Sequence, residues 1–310
     1  MNKHEVIKSA LKNALVKMRA AQGIGWSYSP LLVIEERPGI SASVAQRDEL
    51  TLWISEGCID DITRLQKEIQ VTLDVSHALE WLILHELHHA DLAHFDLIHG
   101  TLSLHLASRS KRKVTPLDDI PTDMHDKVGP CLELQADHDA LELMLGDYST
   151  ASWSDICMIT ASIAALMVLI EGTDAENGIE QSTHPKAATR IFQLLGHVVE
   201  MWSTPAHANA KARSETSILD VDLPCEEELQ AFSKGVILPV FWDSMALAEA
   251  AGAEPIIADL GSPESFFADV SRAKLGHWDE LVTAGAREWA ALKEANELIL
   301  PLLPINQATN

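Results

Sequence analysis

The pattern of apolar and polar residues predicts one helix followed by a small sheet in the first part of the chain. Residues 3–20 bring Val6, Leu11, Leu15 and Met18 close to one stripe, which is the spacing of an amphipathic helix. Short runs of apolar or alternating residues then predict three strands, at 31–36, 41–45 and 49–55. We expect these strands to form a small antiparallel sheet.

After the sheet, apolar residues recur at helical spacing and no further strand is predicted. A buried helix is expected to begin at Asp74 or Ser76, either of which can cap it. Another is expected to begin at Gly129-Pro130 and end at Gly146, because Pro favours the first turn of a helix and Gly its end. Further helices are predicted at 152–171, 185–202, 226–236, 241–251, 263–274 and 277–299. The predicted fold class is therefore α+β and mostly α.

The composition changes between residues 203 and 224, where Ser, Thr, Pro and Ala are frequent and apolar periodicity is weak. We therefore predict two units. The first covers residues 1–204 and contains the sheet packed on the long buried helix. The second is an α-helical accessory region over residues 205–310.

The charge balance argues against several kinds of partner. The 310 residues carry a formal net charge of −23, which opposes binding to nucleic acid and to anionic membrane surfaces. The longest uncharged apolar run, Ile156 to Ile170, is shorter than the ~20 residues of a membrane span, so we expect a buried core helix there. The first residues lack the apolar core of a signal peptide and the four cysteines are scattered, so a cytoplasmic location is expected.

The segment His85-Glu86-Leu87-His88-His89 carries the pattern H-E-x-x-H. On a helix, His85 and His89 lie one turn apart on the same face, where two imidazoles can bind one metal ion. Glu86 lies about 100° further round the helix, where it can contact a water at the metal without binding the metal itself. Because a pattern this short also arises by chance, the hypothesis needs a third ligand.

The best candidate for that ligand is a carboxylate in the predicted helix that ends at Gly146. Glu133 and Asp137 share one face of this helix, and the small Ala136 and Ala140 allow a close approach to the H-E-x-x-H helix. A carboxylate beside two imidazoles suits zinc and leaves a fourth position for water. Asp137 can then accept a hydrogen bond from a ligand imidazole. The alternative is that both acids face solvent.

Three motifs in this order resemble the gluzincin peptidases of the CAAX prenyl protease and HtpX family. That family carries H-E-x-x-H, often extended to a further His that is matched here by His94, and then E-x-x-A-D, matched at residues 133–137. It also carries T-H-P with an Arg six residues after the His, as in Thr183-His184-Pro185 and Arg190. The resemblance covers about residues 75–200 and implies a zincin-like core.

The resemblance also implies roles for single residues. One zinc ion per chain would be bound by His85, His89 and Glu133, with Glu86 as the catalytic base. Asp137 would orient a ligand imidazole. His184 and Arg190 would lie near the site, where either can stabilise the developing oxyanion. The expected activity is that of a zinc-dependent endopeptidase, a hydrolase whose partner is a peptide or protein substrate.

Two alternatives remain open. A defence or phage-exclusion type of peptidase with a single cellular target would share this chemistry and differ only in substrate. A non-catalytic helical interaction protein braced by zinc would share the ligands, although structural zinc sites are usually closed by four protein ligands and rich in Cys.

For an endopeptidase, we expect the strand at residues 49–55 to hold an extended peptide by strand addition. We also expect narrow specificity or a regulatory partner that the sequence does not identify, because a cytoplasmic protease must be restrained.

Overall fold

A computed structural model describes residues 2–22, 29–46, 49–99, 120–176, 184–215 and 217–303. The first elements are α1 (Lys3–Gln22), β1 (Leu31–Glu35), β2 (Ala42–Gln46), β3 (Leu50–Ser55), α2 (Gly57–Glu68) and α3 (Val75–Asp91). The central helices are α4 (His94–His99), α5 (His125–Leu145), α6 (Trp153–Glu176) and α7 (Ala187–Glu200). The last third contains α8 (Thr204–Ala212), α9 (Glu226–Phe232), α10 (Leu238–Ala250), α11 (Glu254–Leu260), α12 (Pro263–Lys274) and α13 (Ala284–Ile299). The predicted fold class, α+β and mostly α, is confirmed.

The sheet is mixed, which corrects the antiparallel sheet expected from the sequence. Its strand order is β1-β3-β2, with β3 parallel to β1 and antiparallel to β2. β1 and β2 are consecutive in the chain but are not neighbours in the sheet, because β3 lies between them. Because β3 is paired along both edges, residues 49–55 cannot bind a peptide by strand addition, contrary to our expectation.

The H-E-x-x-H helix α3 lies in the middle of the protein. Asp74 caps its start, since the Asp74 carboxylate accepts hydrogen bonds from the backbone N–H groups of Ser76 at 2.6 Å and His77 at 3.3 Å. The segment from Ala78 to Leu84 is buried on every side. α3 packs against α1, β2, α5 and α6, so the helix that carries the motif is surrounded by elements from the first 176 residues.

α5 begins at His125, earlier than the start predicted at Gly129-Pro130, because Pro130 lies inside the helix. Proline keeps a helical φ and removes one N–H, and the carbonyl left without that donor belongs to Asp126 in the first turn of the helix. The loss of a single bond there does not interrupt the helix. The predicted end is confirmed, since Gly146 closes α5 with a φ of 61°.

α6 is the one helix in the described ranges that is long and apolar enough to cross a membrane by length and composition. In the most apolar 18-residue stretch of α6, 61% is buried inside the protein. The helix packs against α3, α7 and α10. These contacts are those of the buried core helix predicted for Ile156 to Ile170.

The C-terminal helices pack directly on the helices that carry the motifs. α13 lies against α5 and α7, and the approach to α7 is so close that a Cβ on Gly285 would come within 2.9 Å of the Ala188 backbone. Part of the segment predicted as a linker, residues 203–224, is helical, since it contains α8. The division into units at residue 204 stays a prediction.

Candidate metal centre

Three of the predicted site residues meet between α3 and α5. His85 Nε2 lies 3.1 Å from Glu133 Oε2 and 3.2 Å from His89 Nε2, and His89 Nε2 lies 3.5 Å from Glu133 Oε1. In a tetrahedral zinc site with bonds of ~2.1 Å, neighbouring donor atoms are ~3.4 Å apart. The three side chains therefore fit one metal ion of zinc size as they stand.

The second ring nitrogen of His85 faces a buried ion pair. His85 Nδ1 lies 2.8 Å from Asp137 Oδ1, and Arg190 donates to the two Asp137 oxygens from Nε and Nη2, both at 2.7 Å. Asp137 and Arg190 are 3% and 2% exposed. This pair orients the His85 ring so that Nε2 points towards Glu133, which is the role expected of Asp137.

The second ring nitrogen of His89 begins a chain of polar contacts that ends in the C-terminal region. His89 Nδ1 lies 2.9 Å from His94 Nδ1, and His94 Nε2 lies 3.0 Å from Gln135 Oε1. Gln135 Nε2 donates in turn to Asn296 Oδ1 on α13. His94 itself is fully buried.

The direction of this chain sets the protonation of each ring. The Asn296 oxygen accepts from the Gln135 amide nitrogen, so the Gln135 oxygen is left facing His94. His94 must then donate from Nε2 and accept at Nδ1, and His89 must carry its proton on Nδ1. That tautomer leaves the lone pair of His89 Nε2 directed at His85 and Glu133, as metal binding requires.

Glu86 follows the first ligand on α3 and is partly buried. Burial raises the pKa of Glu86 to about 7, and the charges of His85, Glu133 and His184 also act on it. A carboxylate with a pKa near neutrality is a stronger base than an ordinary Glu and can accept a proton from water more readily.

The ligand residues share one proton when no metal is bound. Burial alone would lower the pKa of His85, but hydrogen bonds to Asp137 and Glu133 raise it to about 10. Burial lowers the pKa of His89 to about 3. Burial opposes the charge of Glu133, yet the hydrogen bond from His85 and the charge of His85 lower the pKa of Glu133. A cation would therefore displace the proton held between His85 and Glu133.

His184 and Arg190, the two site residues of the third motif, lie at different places relative to the donor cluster. His184 Nε2 lies 3.5 Å from Glu133 Oε2, and its Nδ1 lies 3.3 Å from Asp174 Oδ2. His184 is thus beside the donor cluster, with a third of its side chain exposed. Arg190 lies behind His85, against Asp137, and so supports a ligand. Thr183 lies outside the described residues.

Sequence reasoning missed two members of this site. Gln135 lies inside the E-x-x-A-D segment but is a variable position of that motif, and nothing in the sequence marks Asn296. His88, beside the second ligand, is another buried group, at 3% exposure. Its Nδ1 lies 4.0 Å from carboxylate oxygens of Asp91 and Asp139.

These features define a mainly helical protein with a histidine–carboxylate centre of the kind that binds a metal ion. The model of the family Peptidase U49 matches residues 49–208, just over half of the chain. The chain therefore belongs to the peptidase U49 family, a family of hydrolases that cleave peptide bonds. The match contains every candidate residue from His85 to Arg190 and ends before α13. No curated protein sequence and no solved structure is significantly similar to this chain.

Proposed function

We propose that this peptidase is a zinc-dependent endopeptidase of the gluzincin type. The observation that carries the proposal is the convergence of His85 Nε2, His89 Nε2 and the Glu133 carboxylate: the two nitrogens are 3.2 Å apart, His85 Nε2 lies 3.1 Å from Oε2 and His89 Nε2 lies 3.5 Å from Oε1. Two imidazoles and one carboxylate are the ligand set of many catalytic zinc sites, which keep a further position open. Zinc is favoured over magnesium or calcium, because those ions prefer oxygen ligands alone.

An ion held by these three residues would polarise the scissile carbonyl and lower the pKa of water beside it towards ~7. Glu86 accepts a proton from the attacking water as the water oxygen bonds to the carbonyl carbon. Its pKa, raised to about 7 by burial, suits this transfer at neutral pH. When the C–N bond breaks, Glu86 passes the proton to the leaving amine, so the products are a carboxylate and an amine.

The remaining residues hold and complete the centre. Asp137 and Arg190 fix the ring of His85, so Arg190 is assigned to positioning and not to the oxyanion. We assign His184 the role of donor to the developing oxyanion, and the assignment is supported by its position, with Nε2 beside Glu133 and Nδ1 beside Asp174. Similarity to the CAAX prenyl protease and HtpX family is part of the proposal, since it rests on the three ordered motifs.

We assign peptide or protein substrates and a cytoplasmic location to the enzyme. In the described ranges, β2 is an edge strand and packs against α3. An extended substrate can pair with its free edge, in place of the central strand considered from the sequence. A single cellular target and a regulatory partner both remain predictions.

The test compares the wild-type chain with Glu86→Gln, which keeps the size of the side chain and removes the proton acceptor. Glu297→Gln is the matched control, because Glu297 is exposed on α13. Metal content and melting temperature are measured on purified protein, and new protein N-termini are counted in cells that express each variant. We expect Glu86→Gln to keep its zinc and stability and to lose ~10²–10⁴-fold in cleavage.

Two outcomes would count against the proposal. Cleavage by Glu86→Gln at the wild-type rate would exclude the mechanism. Identical sets of N-termini from the wild type and Glu86→Gln, with zinc present in both, would favour the non-catalytic zinc-braced protein.

A further inference from the structure

A second set of metal-ligating side chains lies on α5 and α7. His138 and Glu142 are one turn apart on α5, and His197 is on α7. One donor atom from each residue lies within 4.8 Å of the others. Among the described residues, this cluster and the one at His85 are the two groups of His, Cys and acidic side chains that are gathered so closely.

The geometry of the cluster permits binding with little rearrangement. His138 Nε2 lies 3.3 Å from Glu142 Oε1, which is already the spacing of neighbouring zinc ligands, ~3.4 Å. The rings of His138 and His197 are 5.5 Å apart at an angle of 74°. The side chains of His138 and Glu142 are 47% and 57% exposed, so small changes of rotamer can bring all three donors to one ion without disturbing the core.

The surroundings favour a cation. Glu200 acts on His197 together with Glu142, and Asp139 lies beside His138 and Glu142. These carboxylates attract cations, against the positive charges of Lys293, which acts on His138, and of Lys274, which is paired with Glu200. Two imidazoles with one carboxylate select zinc and similar transition metals over magnesium and calcium. His138 and His197 also line a cavity of about 640 Å³, so water can reach the remaining coordination positions.

We propose that His138, Glu142 and His197 form a second site for a divalent transition-metal ion of the zinc class, which clamps α5 to α7. The site shares no ligand with the proposed catalytic centre and does not depend on the proposed function. Its consequence for the fold follows from what the two helices carry. α5 holds Asp137 and α7 holds Arg190, so an ion joining the helices also stabilises the packing that keeps this pair together.

Zinc titration of the full chain tests the site. Chelator-treated wild type, His138→Ala, His197→Ala and Glu142→Gln are compared by calorimetry and by metal analysis after dialysis against micromolar zinc. His277→Ala is the matched control, because His277 is exposed and lies outside the cluster. In a Glu133→Ala background, which weakens the catalytic centre, we expect one zinc ion to remain and to raise the melting temperature.

We expect His138→Ala or His197→Ala to weaken this remaining ion at least ~10-fold, since even residues behind the ligands contribute that much to metal affinity. The rise in melting temperature should disappear with it. His277→Ala should behave as its parent. Unchanged affinity in both His variants, or binding only at millimolar zinc, would overturn the proposal. Because His138 and Glu142 are exposed, their variants should fold, and melting without metal verifies this.

Discussion

Replacing Asn296 by Leu removes the acceptor at the end of the hydrogen-bond chain that reaches His89, a proposed metal ligand. Leu has nearly the same size, so α13 keeps its packing against α5. Gln135 loses the partner that holds its amide in one orientation. An amide turned round would present its NH₂ group to His94 and would favour the His94 tautomer that donates from Nδ1 towards His89. That arrangement moves the proton of His89 to the nitrogen required for the metal.

The size of the effect follows from the number of bonds that separate Asn296 from the ion. A neutral hydrogen bond contributes a net ~1 kcal/mol, which corresponds to about fivefold in a dissociation constant. Residues in direct contact with a ligand contribute ~10–100-fold to metal affinity, and this sets the upper limit, because Asn296 acts through Gln135 and His94. We therefore expect Asn296→Leu to raise the zinc dissociation constant by about 5–10-fold.

The measurement is competition with a chromogenic chelator, in a His197→Ala background that removes the proposed second site. Asn296→Asp is the conservative control, because it keeps an oxygen where Gln135 donates. We expect Asn296→Asp to bind zinc nearly as tightly as its parent. Equal zinc affinities for the Leu and Asp variants would refute this reasoning. Gln135 and Asn296 would then affect the site through helix packing alone.

Three further predictions concern the ligands and their supports. Glu133→Ala should lose most of its retained zinc on dialysis; full retention, with loss instead in Asp137→Ala, would show that the third ligand is misassigned. Asp137→Asn and Arg190→Met should each lower the free energy of unfolding in urea by ~3–5 kcal/mol, because each leaves a buried partner unpaired. The double variant should lose less than the sum of the two single losses, and strict additivity would contradict a coupled pair. Zinc must displace the proton of His85, whose pKa is about 10 without metal, so zinc affinity should rise ~10-fold per pH unit from pH 7 until the pH reaches that pKa. Calorimetry in buffers of different ionisation enthalpy measures the proton released on binding. If no proton is released, His85 is not protonated in the metal-free protein.

The central part of the site was predictable because its residues repeat at helical spacing. His85 and His89, and likewise Glu133 and Asp137, are four residues apart, so one helix places each pair on one face whatever the tertiary fold. The meeting of the two faces then followed from the small residues of α5. The cap at Asp74 was equally local, since a side chain that satisfies the first N–H groups of a helix acts within one turn.

The rest depended on contacts between distant parts of the chain. The parallel pairing of β1 with β3 depends on which neighbour a strand takes, and periodicity does not record this. The start of α5 was wrong because one lost hydrogen bond at Pro130 costs less than the packing that this helix gains. Gln135 and Asn296 are neutral polar residues without a motif, and only the packing of α13 on α5 makes them partners.

Both imidazoles proposed as ligands are held by residues from outside α3 and α5, the two helices that carry the proposed ligands. His85 depends on Arg190 from α7 through Asp137, and His89 depends on Asn296 from α13 through His94 and Gln135. A separate hydrophobic cluster also covers α5 with residues of the C-terminal region, among them Leu292, Ala295 and Ile299. A chain ended at residue 204 would keep every proposed ligand, but its α5 would lose this cover and His89 would lose the acceptor that fixes its tautomer. The geometry of the proposed metal centre therefore depends on the packing of α13, and the C-terminal region takes part in the site although it supplies none of the proposed ligands.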